Sequence, residues 1–257
     1  MIYDYEYFKK EILKLTSIDL NCYKERQMKR RIETLIRNKH LSGYDKYIAA
    51  MRDDRQLFDE FLSYMTINVS EFFRNPEQWT YLEKDVLPDL IKKFGKNLKI
   101  WSAACSTGEE PYSLVMTLSK YFPLNQIKIY ATDIDKQCIE KAKVGLYAEK
   151  AIANVSEELK TKYFTKIGSA YKIRDEIKQC VTFQQHDLLK DVYPRNCHLI
   201  VCRNVLIYFT EETKEDLFRR FYQYLAPGGI FFIGSTEQIM NYKEIGYQRM
   251  NSFYYQK

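Results

Sequence analysis

Ile100-Trp101-Ser102-Ala103-Ala104-Cys105-Ser106-Thr107-Gly108-Glu109-Glu110-Pro111-Tyr112-Ser113-Leu114 is the stretch from which the rest of the chain can be read. Asn97 to Trp101 has the short apolar pattern of a strand entering a core, and Ser113 to Lys120 carries the apolar face of a helix. Small residues join the two. Two carboxylates and a proline follow, and a helix accommodates proline in its first turn. A strand, a small-residue turn and a helix N-terminus open a nucleotide-type site in an open α/β sheet. Gly108 is the only glycine of the turn and acids follow it, so the stretch departs from the dinucleotide fingerprint. Glu109 and Glu110 would repel a diphosphate, but not a ligand with ammonium and sulfonium charges. Taken alone, the same residues also suit a plain helix with acids at the positive end of its dipole.

Downstream, strands and helices alternate. Gln126 to Asp133 reads as a second strand ending in an acid, with Cys138, Ile139, Ala142 and Val144 on a helix after it. Val181 to Asp187 is a third strand, again ending in an acid, and His198 to Asn204 a fourth, apolar as a strand covered on both faces should be. Leu217, Phe218, Phe221, Tyr224 and Leu225 mark a helix closed by Pro227-Gly228-Gly229, which leads into a fifth strand, Ile230 to Gly234. Tyr247 to Tyr255 adds an edge strand or hairpin. The alternation predicts a largely parallel sheet with helices on both faces and ligands at the strands' carboxyl ends. The stretch between Tyr147 and Val181 is too long for a plain connection. It reads as an inserted subdomain at about 148–180, with a helix from Ser156 to Phe164 and a hairpin turning at Arg174-Asp175-Glu176.

Upstream, residues 1–75 show helical periodicity alone, and residues 76–257 form the α/β domain. Four helices are expected, around Tyr7–Leu15, Tyr23–Lys39, Tyr44–Met51 and Leu57–Met65. The second sets Met28, Ile32, Leu35 and Ile36 against Lys24, Arg26, Lys29, Arg30, Arg31 and Arg37, with only Glu25 and Glu33 to offset them. Such a helix offers a solvated face, a nucleic-acid contact or a dock for an acidic partner. Thr66 to Pro76 is a junction of polar groups, two aromatics and an arginine, followed by an amphipathic helix through Trp79, Leu82, Val86, Leu87, Leu90 and Ile91.

Composition narrows the classes. With 257 residues the chain can bury a full core, and its net charge of +6 is mild. No apolar run is long enough to span a membrane and the start lacks the shape of a signal peptide. Six scattered cysteines without a C-x-x-C pair suggest reduced thiols and a cytoplasmic setting. Three histidines leave metal or His-based catalysis little to work with, and no metal site is expected.

In the expected sheet the first four strand ends converge on one crevice. Asp133 lies where an acid accepts both hydroxyls of a ribose, Asp187 and Leu188 where a polar and an apolar group meet an adenine, and Asn204-Val205 near a reacting centre. Each alone is an ordinary cap or turn former. Four consecutive strand ends carrying such groups in order point to a nucleoside site, and the acids at 109 and 110 favour S-adenosylmethionine over a nicotinamide cofactor.

Four runs then carry a specific resemblance: Asn68-Val69-Ser70-Glu71-Phe72-Phe73-Arg74, Trp101 to Ser113, Ala131-Thr132-Asp133-Ile134-Asp135, and Cys202-Arg203-Asn204-Val205-Leu206-Ile207-Tyr208-Phe209. In this order, and over essentially the whole chain, they resemble the CheR family of chemotaxis receptor methyltransferases. The resemblance implies a Rossmann-like class I methyltransferase fold with an N-terminal all-helical domain and a small inserted β-containing subdomain. It implies S-adenosylmethionine-dependent methylation of glutamates on chemoreceptor cytoplasmic helices, giving γ-methyl esters and S-adenosylhomocysteine. Matched to the family motifs, Asn68, Ser70 and Arg74 fall in the cofactor-contacting junction and Glu109 or Glu110 at the methionine end. Asp133 falls at the ribose, Asp187 and Leu188 at the adenine, and Arg203, Asn204 and Tyr208 near the methyl group. Arg74, Arg203 and Tyr208 are the expected catalytic set. Ser70 stands where many relatives have threonine, and Asp187 where some have asparagine.

A carboxylate is already nucleophilic at neutral pH, so such an enzyme has to position its reactants and exclude water, and needs no general base. The basic helix then becomes a dock for glutamate-rich receptor helices through Arg26, Lys29, Arg30, Arg31 and Arg37. Some relatives hold a receptor's C-terminal pentapeptide on the inserted subdomain with a glycine-rich hairpin loop. Arg174-Asp175-Glu176 has no such glycines, so no tethering is expected. The alternatives are a nucleic-acid methyltransferase and a non-catalytic cofactor-binding signalling module. Against the first, Arg203-Asn204-Val205-Leu206 occupies the place of the Asn/Asp-Pro-Pro-aromatic run of amino-methylating enzymes, and no nucleic-acid partner is expected.

Overall fold

The computed structural model describes residues 4–66, 68 and 70–257. The chain divides into two compact units, one ending at position 67 and taking in Ile207–Asp216, the other comprising Asn68–Leu206 and Leu217–Lys257. Among the described residues no helix is long and apolar enough to cross a membrane.

The first unit holds α1 (Tyr5–Thr16), α2 (Glu25–Asn38), α3 (Tyr44–Asp53) and α4 (Arg55–Met65). Their boundaries follow local chemistry. Asp4 accepts the Tyr7 N–H at 3.0 Å, and Asp54 accepts those of Gln56 and Leu57, so side-chain oxygens satisfy donors that the first turns leave open. Phe8, Ile12, Ile32, Tyr47, Ile48 and Phe61 form a dry core. Residues 207–216, distant in sequence, join this unit through a short antiparallel clasp. The Lys24 N–H donates to the Tyr208 carbonyl and the Thr210 N–H to the Cys22 carbonyl, each at 2.9 Å, with the Tyr23 and Phe209 rings 4.9 Å apart.

The second unit opens with α5 (Pro76–Tyr81) and α6 (Leu87–Phe94), joined by one π turn at Leu82–Val86. Pro88 cannot donate to the preceding turn, and the wider turn, closed by Leu87 N–H to Leu82 O, absorbs that loss without ending the helix. There follow β1 (Ile100–Ala103), α7 (Glu109–Leu118), β2 (Ile129–Asp133), α8 (Lys136–Val144), β3 (Leu146–Ala148), α9 (Glu157–Tyr163), β4 (Phe164–Ile167), β5 (Ala170–Ile173), α10 (Asp175–Lys178), β6 (Val181–Gln185) and β7 (Cys197–Cys202). The chain ends with α11 (Glu211–Tyr224), β8 (Leu225–Ile233), α12 (Tyr242–Ile245), β9 (Gln248–Arg249) and β10 (Tyr254–Gln256). The main sheet runs β6-β2-β1-β7-β8-β10-β9. It is parallel from β6 to β8, with β10 antiparallel to β8 and β9 to β10. The switch point lies between β1 and β7, so the loops after β1, β2, β6 and β7 gather at one edge.

Two local readings are corrected. The hairpin of the inserted subdomain turns at Gly168-Ser169, between β4 and β5, and not at Arg174-Asp175-Glu176; β5 also pairs with β3, giving a three-stranded antiparallel sheet that begins at Leu146. Residues 175–178 form a helical turn instead, because Ile177 and Cys180, three apart, are both buried and Lys178 pairs with Asp175 at 2.7 Å. Pro227-Gly228-Gly229 does not end a helix ahead of a fresh strand: β8 already starts at Leu225 and takes the three residues as an irregularity in its pairing with β7. The expected element at Tyr247 to Tyr255 is a hairpin, β9 pairing antiparallel with β10 and forming the sheet edge.

Candidate active site

The turn after β1 is tightly wound. Ala104, Ser106 and Gly108 all have positive φ, and the Cys105 N–H donates to the Thr132 carbonyl at 2.8 Å. A Cβ on Gly108 would lie 2.9 Å from the Ala142 Cβ and 3.1 Å from the Tyr147 hydroxyl, so this position has room for glycine only. That hydroxyl, on the first strand of the inserted subdomain, donates to the Thr107 carbonyl at 2.8 Å. The insertion thus braces the turn.

Asp133, at the end of β2, ties two turns together. Its Oδ2 accepts the Ser106 N–H at 2.8 Å and its Oδ1 the Asp135 N–H at 2.9 Å. Burial pushes its carboxyl up to about 6 against the pull of those N–H groups. Asp135 caps α8 through Oδ1, while its Oδ2 accepts the Asn68 side-chain amide at 2.9 Å. Asp135 is therefore the residue that sequence reasoning passed over: it fixes Asn68, and the only signal for it was its place in Asp133-Ile134-Asp135.

The adjacent acids face different partners. Glu109 is 4% exposed and both its oxygens accept the Thr107 hydroxyl, at 2.8 and 2.7 Å. The Ser70 hydroxyl also bonds to it, partly offsetting a pKa raised by burial. Glu110 accepts the Ser102 hydroxyl through Oε1 at 2.8 Å, and its Oε2 lies 3.8 Å from Arg203 Nη1. Burial pushes Glu110 up to about 7, while Arg203, Ser102 and Arg74 pull it down.

Arg203 follows β7 and is buried. Its Nη2 donates to the Arg74 carbonyl (2.8 Å), Asn75 Oδ1 (3.3 Å) and Gln78 Oε1 (2.7 Å), and the guanidinium lies 4.7 Å from the Phe232 ring centroid. It binds the 74–78 segment to the strand ends. On the same segment Phe73 N–H donates to the Ser113 hydroxyl of α7 at 3.0 Å, and both Phe73 and Asn75 have positive φ. Asn204, half-buried with φ +59°, donates its N–H to Glu237. At the β6 end Asp187 accepts the Leu189 N–H at 2.8 Å, and the buried Leu188 accepts the Tyr193 hydroxyl through its carbonyl.

Asn68, Ser70, Arg74, Glu109, Glu110, Asp133, Asp187, Leu188, Arg203 and Asn204 thus all belong to the second unit. Tyr208 and the five basic residues of α2 belong to the first. There Arg26, Arg30 and Arg37 are exposed. Arg31 donates to the Tyr64 carbonyl at 2.6 Å and stacks on that ring, and Lys29 lies 5.6 Å from the Tyr5 ring centroid. A cavity of about 210 Å³ is lined by Lys24, Gln27, Met28, Arg30, Arg31 and Tyr208.

A sheet of this order, with carboxylates in the first turn of the helix after β1 and at the end of β2, is that of a class I S-adenosylmethionine-dependent methyltransferase. The donor set fits that cofactor: buried acids would suit an ammonium and ribose hydroxyls, and the Ser106 hydroxyl in the turn is buried without a partner among the described residues. Residues 68–254 match the family model described as the S-adenosylmethionine-binding domain of CheR methyltransferase, and residues 3–66 its all-alpha domain. The chemotaxis protein methyltransferase of Listeria monocytogenes is 41% identical over 99% of this chain and 97% of its own length. That of Borreliella burgdorferi is 32% identical over 90% and 86%, and that of Salmonella typhimurium 30% identical over 90% and 82%. The chain belongs to the CheR methyltransferase family.

Proposed function

We propose that this enzyme O-methylates glutamate side chains on the cytoplasmic helices of chemoreceptors, acting in the cytoplasm and releasing S-adenosylhomocysteine. The observation that carries the reading is the division of charge within a chain of this family: buried carboxylates at the strand ends of one unit, and exposed Arg26, Arg30 and Arg37 on a helix of the other. Bound S-adenosylmethionine supplies a methyl group activated by the sulfonium.

The chain's own residues bind and orient. Asp133 receives the ribose hydroxyls, and Asp187 with Leu188 the adenine. Of the two adjacent acids, Glu110 takes the ammonium, because Glu109 already accepts the Thr107 and Ser70 hydroxyls while Glu110 Oε2 has only the 3.8 Å ion pair with Arg203. Asn68 and Ser70 line the methionine end. Arg203 holds Glu110 and the 74–78 segment in place, so it acts as a positioning residue. Arg74 orients the acceptor carboxylate, which needs no deprotonation at neutral pH, and Tyr208, on the unit that carries α2, is assigned to the substrate. Arg26, Lys29, Arg30 and Arg37 dock the glutamate-rich substrate by charge, and Arg31 shapes that face from its seat on Tyr64.

No pentapeptide tether is proposed: the β4–β5 hairpin closes over only Gly168-Ser169, too short for a glycine-rich loop. Transfer of radiolabelled methyl from S-adenosylmethionine to chemoreceptor-rich membranes, followed by mild alkali, tests the reading. Label on the receptor that leaves as volatile methanol supports a carboxyl ester. Alkali-stable label, or label on RNA, overturns it.

A further inference from the structure

β7 and β8 are neighbouring parallel strands, and the chain leaves both at the same edge of the sheet. Their exits come unusually close. A Cβ built on Gly234 would lie 2.8 Å from both the backbone N and the side-chain Nδ2 of Asn204. The Asn204 amide therefore stands directly over Gly234, and only glycine leaves it room. Asn204 is itself left-handed, a conformation that asparagine adopts more readily than most residues with a side chain.

Glu237 ties the two exits together. Its Oε2 accepts the N–H groups of Asn204 at 2.9 Å and Gly234 at 2.7 Å, and its Oε1 accepts that of Leu206 at 2.7 Å. The residue is 6% exposed, so three backbone donors from two strand exits converge on one buried carboxylate. A side chain without acceptor oxygens at 237 would leave these buried N–H groups without partners. We propose that Glu237 is a positioning residue for Asn204, setting the orientation in which that amide meets the cofactor.

The inference rests on Asn204 being a cofactor contact, and a double-mutant cycle on the full chain tests it. Affinity for S-adenosylhomocysteine is measured by calorimetry for wild type, Glu237→Gln, Asn204→Gly and the double variant. Glycine keeps the left-handed backbone while removing the amide. Glu237→Gln keeps the size but turns an NH2 toward backbone donors. Each single variant should lose about 10- to 100-fold in affinity, and the double variant no more than the weaker single one, because the two changes remove the same contact. A residue that only stabilises the fold would shift the urea midpoint in all backgrounds and give losses that multiply. Multiplying losses, or wild-type affinity in Glu237→Gln, overturn the proposal. So does wild-type affinity in Asn204→Gly, and in that case the methyltransferase reading still stands. Wild-type protein that does not bind S-adenosylhomocysteine overturns both. If Glu237→Gln does not fold, Glu237→Asp enters the same cycle, since it keeps the acceptors and shortens their reach by one methylene.

Discussion

Arg203 and the arginines of α2 carry the same guanidinium into opposite surroundings. Arg203 is 7% exposed, donates to three oxygens on the 74–78 segment and lies beside Glu110. Burial draws its pKa down from the usual arginine value, and the Glu110 carboxylate opposes that shift. Arg26, Arg30 and Arg37 stand in solvent, with no ion pair among the described residues. The interior cation has one geometry, set by fixed partners. The surface cations keep their rotamer freedom and exert a field. A fixed cation suits one small ligand of fixed shape, and mobile cations suit a partner met by charge.

The sharpest way to break the comparison is to remove the interior cation. Arg203→Ala leaves Glu110 without its counter-charge and the Arg74 carbonyl and Gln78 amide oxygen without their donor. Breaking one side of a buried pair costs about 3–5 kcal/mol, and urea unfolding of Arg203→Ala should lose that much. Arg203→Lys should recover little, because an ammonium cannot reach three acceptors in the plane of the guanidinium. A loss below about 1 kcal/mol would mean that the network is ornamental. Asp133→Asn should have the next largest effect. The amide presents a donor to one of two N–H groups and gives the ribose a weaker acceptor, so calorimetry should show S-adenosylhomocysteine binding about 10- to 100-fold weaker.

At the docking face the expected effects are smaller and of a different kind. Arg30→Glu combined with Arg37→Glu should slow methylation of receptor-rich membranes several-fold at low salt, and the deficit should shrink as screening increases. Unfolding free energy should stay within about 0.5 kcal/mol and cofactor affinity should not change. Loss of cofactor binding in this variant would remove the distinction between the two regions.

The two regions also differed in how far the sequence disclosed them. The place of Asp133 at a strand end of the crevice was legible because strand ends in a parallel sheet fall at one edge. The helix α2 and its basic side were legible because Met28, Ile32, Leu35 and Ile36 recur at helical spacing and cations fill the positions between them. Arg203 is placed near the methyl group by the family motif, which says nothing of what the guanidinium holds. Its partners, however, are the Arg74 carbonyl and the side chains of Asn75 and Gln78, more than a hundred residues away, and no periodicity announces them. Glu237 escaped for the same reason: its function lies in three backbone N–H groups, which every sequence has. The misplaced hairpin had a local cause, since Ile177 and Cys180 fit a helical turn as well as a strand, and a four-residue window cannot separate the two.

The smallest expected effect concerns protons, and in it one pair of groups should act in opposite directions on stability and on binding. Burial holds Glu110 at about 7 and Asp133 at about 6, whereas carboxyls of the unfolded chain titrate near about 4. In the ligand-free protein the folded state therefore keeps protons that the unfolded chain has already released. The stability contributed in this way is fully present below about pH 4 and is lost as pH rises through 6 and 7. Binding runs the other way, because an ammonium and ribose hydroxyls are held by ionised acceptors, so affinity for S-adenosylhomocysteine should rise over the same window. Urea midpoints of ligand-free wild type, Asp133→Asn and Glu110→Gln at pH 5.5 and 7.5 isolate the two contributions, since each variant lacks one titrating group. Wild type should lose more stability than either variant on going to pH 7.5, while calorimetry at the two pH values should show tighter binding at the higher one. Equal affinity at both would mean that the cofactor meets these acids through their backbone partners, and the crevice would then be a scaffold of turns with no charge complement to its ligand.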